Sequence, residues 1–325
     1  MKKTTISMLI TALILFCSGL LLTLGTLIYT TAASVDIYPG QSIEPSNFRD
    51  FTKSFADLGY TRENPVKRIE ISTLVGDVQV IPTNGESKAE FKDADINNIT
   101  CKMEGSTLVV RENNAVGFMG VQVSSQGFSF NGLRQIFHSA GNASPSQKLI
   151  LHLNPLEFNG VLTIKNAVGT ISVQNIACAE MSVSADYGKI FLADCNLATT
   201  LDANGNMAEL ILRNNTCQQL NANVTLGNIY ALVNENKVNL KASMGNITVL
   251  TQKDQSNYQL RLFNTIGSIR PYNIENNKNE FSLFSESDNS IWVNTMLGNI
   301  TVSKFDAQSF PQKNFTFEGD LVKVY

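Results

Sequence analysis

The sequence predicts an all-β fold: a single parallel β-solenoid, right-handed and β-helix-like, with short coils of about 20 residues, preceded by one N-terminal transmembrane helix. Three observations predict it. A short pattern built around a glycine returns eight times, flanked on both sides by alternating apolar residues. Only 16% of the 325 residues are charged whereas 35 are asparagine, a composition that suits stacked turns better than solvated helices. Between Lys3 and Asp36 there is no charged residue at all.

Residues 1–5 and 6–30 are explained by that uncharged run. Ile6 to Tyr29 covers 24 apolar-rich residues, and a helix of that length reaches about 36 Å, enough to cross a hydrocarbon core of about 30 Å. Residues 6–30 are therefore expected to form a transmembrane helix, with Lys2 and Lys3 holding the N-terminus in the cytoplasm and the remainder of the chain extracellular. Thr31, Ala32, Ala33 and Ser34 could serve a signal-peptide cleavage site, but the apolar core of a signal peptide runs only about 7–15 residues. Cys17 follows Leu15 and Phe16, so the small residue that lipoprotein processing needs before the cysteine is missing. Residues 31–66 contain Pro39, Gly40, Pro45 and Pro65 and little periodicity, which reads as an extracellular stalk.

Residues 67–325 carry the repeat. Its corner glycines are expected at Gly76, Gly169, Gly188, Gly205, Gly227, Gly245, Gly267 and Gly298, with gaps from Gly169 onward of 19, 17, 22, 18, 22 and 31. Seven positions before the glycine the residue is apolar in eight of eight cases, from Ile69 and Leu162 to Leu260 and Ile291. Two positions after it the rule holds again in eight of eight, from Val78 and Ile171 to Ile269 and Ile300. Further out Glu209 and Pro271 break it. Each coil thus contains two short strands of period two joined at a glycine corner. Neither strand alone can bury its apolar edge, but coils stacked at about 4.8 Å make a continuous core. A hairpin meander is the competing architecture, and it would need tight-turn chemistry at every reversal. The residue after each glycine is polar, as at Asp77, Asn228, Asn246 and Asn299, and stacked side chains there read as a structural ladder.

Two stretches leave the repeat. Ile99 to Arg111, with Glu104 and Gly105 at its centre, reads as a hairpin that starts the solenoid. Insertions are expected at about 115–147 and 273–289. The first is rich in Phe, and Phe118, Phe128, Phe130 and Phe137 either cap an open solenoid end or form a partner-contact patch. Asn314 to Tyr325, with Phe315 and Phe317 set against Leu321 and Val324, reads as a closing hairpin.

The chemistry excluded is as informative. A balance of 25 basic against 28 acidic residues offers no basic track for nucleic acid. There are two histidines, and no GxSxG, HExxH or phosphate-cradling glycine loop occurs. Asp186 and Asp202 are the best carboxylate column, without a basic neighbour, and read as surface turns. Cys178, Cys195 and Cys217 each precede a repeat glycine by ten residues and read as one buried column of small apolar groups, with a disulfide between neighbours as the alternative. No catalytic, cofactor-binding or metal-ligating residue is assigned, and the protein is not expected to be an enzyme.

The motifs VGDVQV at 75–80, VGTISV at 168–173, LGNIYALV at 226–233, MGNITV at 244–249 and LGNITV at 297–302 resemble the putative-adhesin β-strand-repeat family, a bacterial envelope domain of unknown function. The resemblance covers about residues 67–303 and supplies no catalytic residues. It implies a single-pass protein of the bacterial cell membrane whose extracellular domain binds or scaffolds, as an adhesin toward a surface glycan or host ligand. The alternative it implies is an accessory of envelope-stress signalling that contacts another membrane protein. A polysaccharide-acting enzyme is the third reading.

Overall fold

The structure is a computed structural model, and it describes residues 48–61, 65–113, 123–124, 127–128, 147–234, 237–272, 274, 276, 278–305, 315–318 and 321–324. The chain divides into two compact units, Met1–Pro45 with Gly117–Asn142, and Ser46–Val116 with Ala143–Tyr325. In the first unit the described residues form one short antiparallel pair, Val123–Ser124 with Gly127–Phe128.

Nineteen strands of the second unit form one hydrogen-bonded sheet that bends at the repeat corner into two walls. The residues before the corner build the first wall. Its parallel body runs from Thr107–Glu112 through Val66–Val75 and the first halves of Phe158–Gln174, Glu180–Ala193 and Thr200–Arg213. It continues through Gln219–Leu226, Lys237–Met244, Ser290–Leu297 and Gln259–Ile266. The residues after the corner build the second wall, from Asp77–Pro82 through the second halves of the three long strands to Ile229–Val233, Ile247–Thr251, Ile300–Lys304 and Ile269–Pro271. Alternate side chains of both walls point inward, and Ile69, Leu162, Leu201, Val293 and Ile300 lie fully or almost fully buried in one continuous core. Burial of each such side chain stabilises the fold by about 1.5–3 kcal/mol.

The expected fold class needs correction. The sheet is mixed rather than a single parallel solenoid: Ile99–Glu104 pairs antiparallel with Thr107–Glu112, and Glu280–Leu283 antiparallel with Gln259–Ile266, so the first wall ends in a reversed strand on both sides. Phe48–Ser54 and Lys88–Asp95 extend the second wall antiparallel through Lys148–Leu153. Short reversed strands thus replace the long parallel rungs as the edges of the wall, and short edges are less open to pairing with other chains. Among the described residues no helix is long and apolar enough to cross a membrane, and the transmembrane helix expected over 6–30 lies outside them. Residues 48–61, expected in the stalk, belong to the folded unit, with Phe55 fully buried. The expected insertion at 273–289 supplies the reversed strand Glu280–Leu283.

Two further differences concern register and order. Gly205 is not a corner: Gly188 pairs with Ala208, while Gly205 pairs with Ala185 and Val224 inside the wall. With Ala208 at the corner, Leu201, Ala203, Leu210 and Leu212 occupy the core positions, all fully buried. Glu209 then stands on the surface beside Lys189, at 3.2 Å, and no longer breaks the apolar rule. The rungs also do not stack in chain order. The rung of Gly298 sits on that of Gly245, and the rung of Gly267 lies outermost, against Gly298.

The corner is glycine because backbone stacks on backbone. A Cβ on Gly169 would fall on the carbonyl oxygen of Gly76, and one on Gly245 on that of Gly227, both at positive φ. The following polar residues do form a ladder: Asp77 Oδ1 accepts from the Thr170 amide at 2.8 Å, Asn228 Oδ1 from Asn246 at 2.9 Å, and Asn246 Oδ1 from Asn299 at 2.9 Å. The left-handed asparagine-type positions lie elsewhere, at Asn175, Asp194 and Asn214, where the chain leaves the second wall.

Candidate functional site

The first wall is organised in columns, because parallel in-register rungs bring equivalent residues together at about 4.8 Å spacing. One core-facing column next to the corner runs Asn166, Ala185, Gly205, Val224, Ala242, Thr295, Asn264, its side chains buried. Its polar members turn toward the corner backbone: the Asn166 amide donates to the Gly76 carbonyl at 2.8 Å, Thr295 Oγ1 to Gly245 at 3.2 Å, and the Asn264 amide to Gly298 at 2.9 Å. On the outward side, over the backbone of Ala185, Gly205, Val224 and Ala242, lies a groove of about 410 Å³ that spans five rungs. Ser184, Asn204, Asn223, Lys241 and Asn294 form one side of it, and Asp186, Asn206, Thr225, Ser243 and Met296 the other.

Hydrogen bonds run along these sides. The Asn206 amide donates to Asp186 Oδ1 at 2.6 Å and the Asn223 amide to Asn204 Oδ1 at 3.1 Å. Asp202 lies in a different column, where its Oδ1 accepts from the Asn221 amide at 2.7 Å. Asp202 pairs with Ser182, four residues from Asp186 on the same strand. The two carboxylates expected as a column are therefore separated by about 13 Å of strand, beyond the separation at which an acid–base pair flanks a glycosidic bond.

A second column borders the groove toward the corner: Val75, Val168, Tyr187, Met207, Leu226, Met244, Leu297 and Ile266. It is apolar throughout and exposed over its latter part, with Met207 at 48%, Met244 at 43% and Ile266 at 61%. Sequence reasoning missed this column, although the signal was there: the residue immediately before each true corner is apolar in eight of eight rungs. At the outer end, Phe263 pairs with Asn294 and so continues the groove side by one rung, 45% exposed. Trp292, the chain's single tryptophan, is 49% exposed two residues before Asn294. The guanidinium of Arg261, paired with Trp292, lies 5.9 Å from the Phe284 ring centroid.

The other residues singled out by sequence are placed as follows. Phe118, Phe130 and Phe137 lie outside the described residues, and Phe128 ends a two-residue strand of the first unit. The cysteines do not form one column. Cys178 pairs with Leu197 and the Cys217 column follows Leu197, whereas Cys195 stands two residues earlier, its amide bonded to Asn215 Oδ1 at 3.1 Å. All three are buried and none is in a disulfide, and burial pushes the Cys178 and Cys195 thiols up to about 12. Among the described residues no group of three or more His, Cys, Asp or Glu is placed to hold a metal ion.

The fold and its columns define a β-rich repeat domain that offers a long patterned face. Residues 63–303 match the family described as Toastrack DUF4097, and the chain belongs to that family. Two solved structures resemble it. One is a putative cell adhesion protein from Clostridium sporogenes, 14% identical, with a TM-score of 0.36 over 79% of this chain and 100% of that one. The other is a putative adhesin from Bacteroides fragilis, 11% identical, with a TM-score of 0.34 over 78% of this chain and 97% of that one. No curated protein matches the chain.

Proposed function

We propose that this protein is a non-enzymatic component of the bacterial cell envelope that works by binding or scaffolding, in the manner of an adhesin. One observation carries the reading: five stacked rungs align their side chains into a continuous open groove with an apolar border. Such a face spreads contacts along its length and is held rigid by the sheet beneath it, so little ordering cost falls on binding. The test is retention on the full-length protein of envelope material fractionated into polysaccharide, protein and lipid. One fraction is expected to be held and recovered chemically unchanged. Turnover of that fraction, or no retention at all, would overturn the reading.

A second reading, contact with another envelope protein in a signalling complex, is favoured by the exposed apolar column, which is larger than scattered surface residues require. It expects a captured envelope protein that Met207→Ser with Met244→Ser releases.

A further inference from the structure

We propose that the groove between Ser184 and Met296, with Trp292 and Phe263 at its outer end, is a binding site for an extended, uncharged polysaccharide. The inference rests on the binding reading above and adds to it a ligand class and a place. Five rungs give the groove a length of about 19 Å at the strand spacing, open along its course, so it suits a polymer lying across the rungs rather than an enclosed small molecule. Its lining is amide and hydroxyl: Asn204, Asn206, Asn223 and Thr225 dominate the middle rungs. An asparagine side chain offers two donors and an acceptor, the complement that neighbouring sugar hydroxyls require. The formal charges in the lining are one carboxylate, Asp186, and one ammonium, Lys241. They cancel, so the groove offers a polyanion no attractive field.

The aromatic groups fall where the apolar faces of sugar rings can use them. Trp292 and Phe263 are about half exposed at the last two rungs, beside Asn294 in the wall of the groove. A half-buried aromatic ring with one open face provides contact area at a low cost in side-chain entropy. The exchanged order of the last two rungs produces this arrangement. In chain order Phe263 would pair beside Lys241, with Asn294 outermost; in the observed order Asn294 pairs with Lys241, and Phe263 extends the groove. A peptide is the less suitable occupant, because strand addition uses a sheet edge and this site lies on the face of the wall, over its middle rungs.

The experiment is affinity electrophoresis of the full-length protein in gels containing dextran, a β-glucan, a mannan or a galactan, with heparin, polygalacturonate and gelatin as parallel gels. The expected result is retardation by at least one neutral polymer. Trp292→Ala and the pair Asn206→Ala with Asn223→Ala should each raise the dissociation constant at least tenfold, with the melting temperature within a few degrees of the parent. Thr225→Arg, which puts a charge into the groove from an exposed position, should do the same without removing any packing. Retardation only by the polyanions, only by gelatin, or by none of the polymers overturns the ligand class. Retardation by a neutral polymer that all the variants retain overturns the site while leaving the binding reading intact. If none of the polymers binds but an envelope fraction is still held, the polysaccharide inference fails and the binding reading stands.

Discussion

Gly245→Ala isolates what the corner glycines do. Gly245 has φ of +148°, and an added Cβ would land on the carbonyl oxygen of Gly227 in the rung below, a backbone atom fixed by the parallel ladder. Two costs follow. Forcing an L-residue into a disfavoured left-handed backbone costs about 1–2 kcal/mol, and the steric overlap adds the cost of overpacking, about 1–3 kcal/mol. Together they predict a loss of about 2–5 kcal/mol. Gly59→Ala is the control for the first cost alone, since Gly59 has φ of +90° and an added Cβ there would meet nothing within 4 Å. Gly205→Ala is the control for sterics without a positive φ, its new methyl meeting the Ala208 Cβ at 2.7 Å and Leu210 Cδ1 at 3.0 Å. Urea denaturation of the three variants, followed by circular dichroism, gives the differences directly. If Gly245→Ala loses no more than Gly59→Ala, within about 0.5 kcal/mol, close backbone stacking does not explain the repeat.

Ala208→Gly restores a glycine to the one corner that lacks it, and because Ala208 is not at positive φ the change should destabilise by about 0.5–1 kcal/mol rather than stabilise. A stabilised variant in thermal denaturation would refute that assignment of the corner. Cys178 and Cys195 should resist iodoacetamide at pH 8 in the folded protein and react fully in denaturant, because burial pushes both thiols up to about 12; rapid native labelling read by peptide mass would contradict their packing. Glu112 accepts from the Leu74 and Val75 amides at 2.7 and 3.2 Å, yet its carboxyl is raised above the ordinary value, first by burial and also by Asp95. Its protonated form therefore favours the fold below the unfolded-state value, and that contribution is lost as pH rises through the folded one. Glu112→Gln should accordingly be more stable than the parent at pH 7, with the advantage shrinking toward pH 4; a less stable variant at pH 7 would mean that the amide bonds outweigh burial.

The core was legible because period two and a fixed corner are properties of local sequence: the apolar positions of Leu162, Ile164, Ile171 and Val173 are buried as their alternation requires. The error at Gly205 came from reading the corner by residue type. Spacing held the better signal, since corners at 169, 188, 208, 227 and 245 give intervals of 19, 20, 19 and 18, more even than those obtained with Gly205. The same slip put Cys195 into the column of Cys178 and made Glu209 look like a core violation. The groove was not legible. Its sides are outward polar residues of ordinary types, Asn204, Asn206, Asn223 and Thr225 among them, whose alignment requires the corrected register.

The exchange of the last two rungs could not be read from the sequence for a physical reason. Every rung presents the same edge to its neighbour, an in-register parallel ladder over apolar columns, so the rung of Gly245 can accept that of Gly267 or that of Gly298 with nearly the same interface. What separates the alternatives lies outside the repeat. Residues 252–258 carry the chain past one vacant position, with Tyr258 fully buried at its end, and Glu280–Leu283 then closes the outer edge antiparallel before Ser290–Leu297 fills the gap. Antiparallel closure requires a reversed strand adjacent in space to the outermost rung, and a short connection supplies that only if the rung preceding it in sequence is outermost. The strand Glu280–Leu283 follows the Gly267 rung directly, so that rung takes the end and the later Gly298 rung is left the interior place. The polar stretch after Tyr272, which breaks the repeat in sequence, is thus what sets the order of the rungs and brings Phe263 and Trp292 to the mouth of the groove.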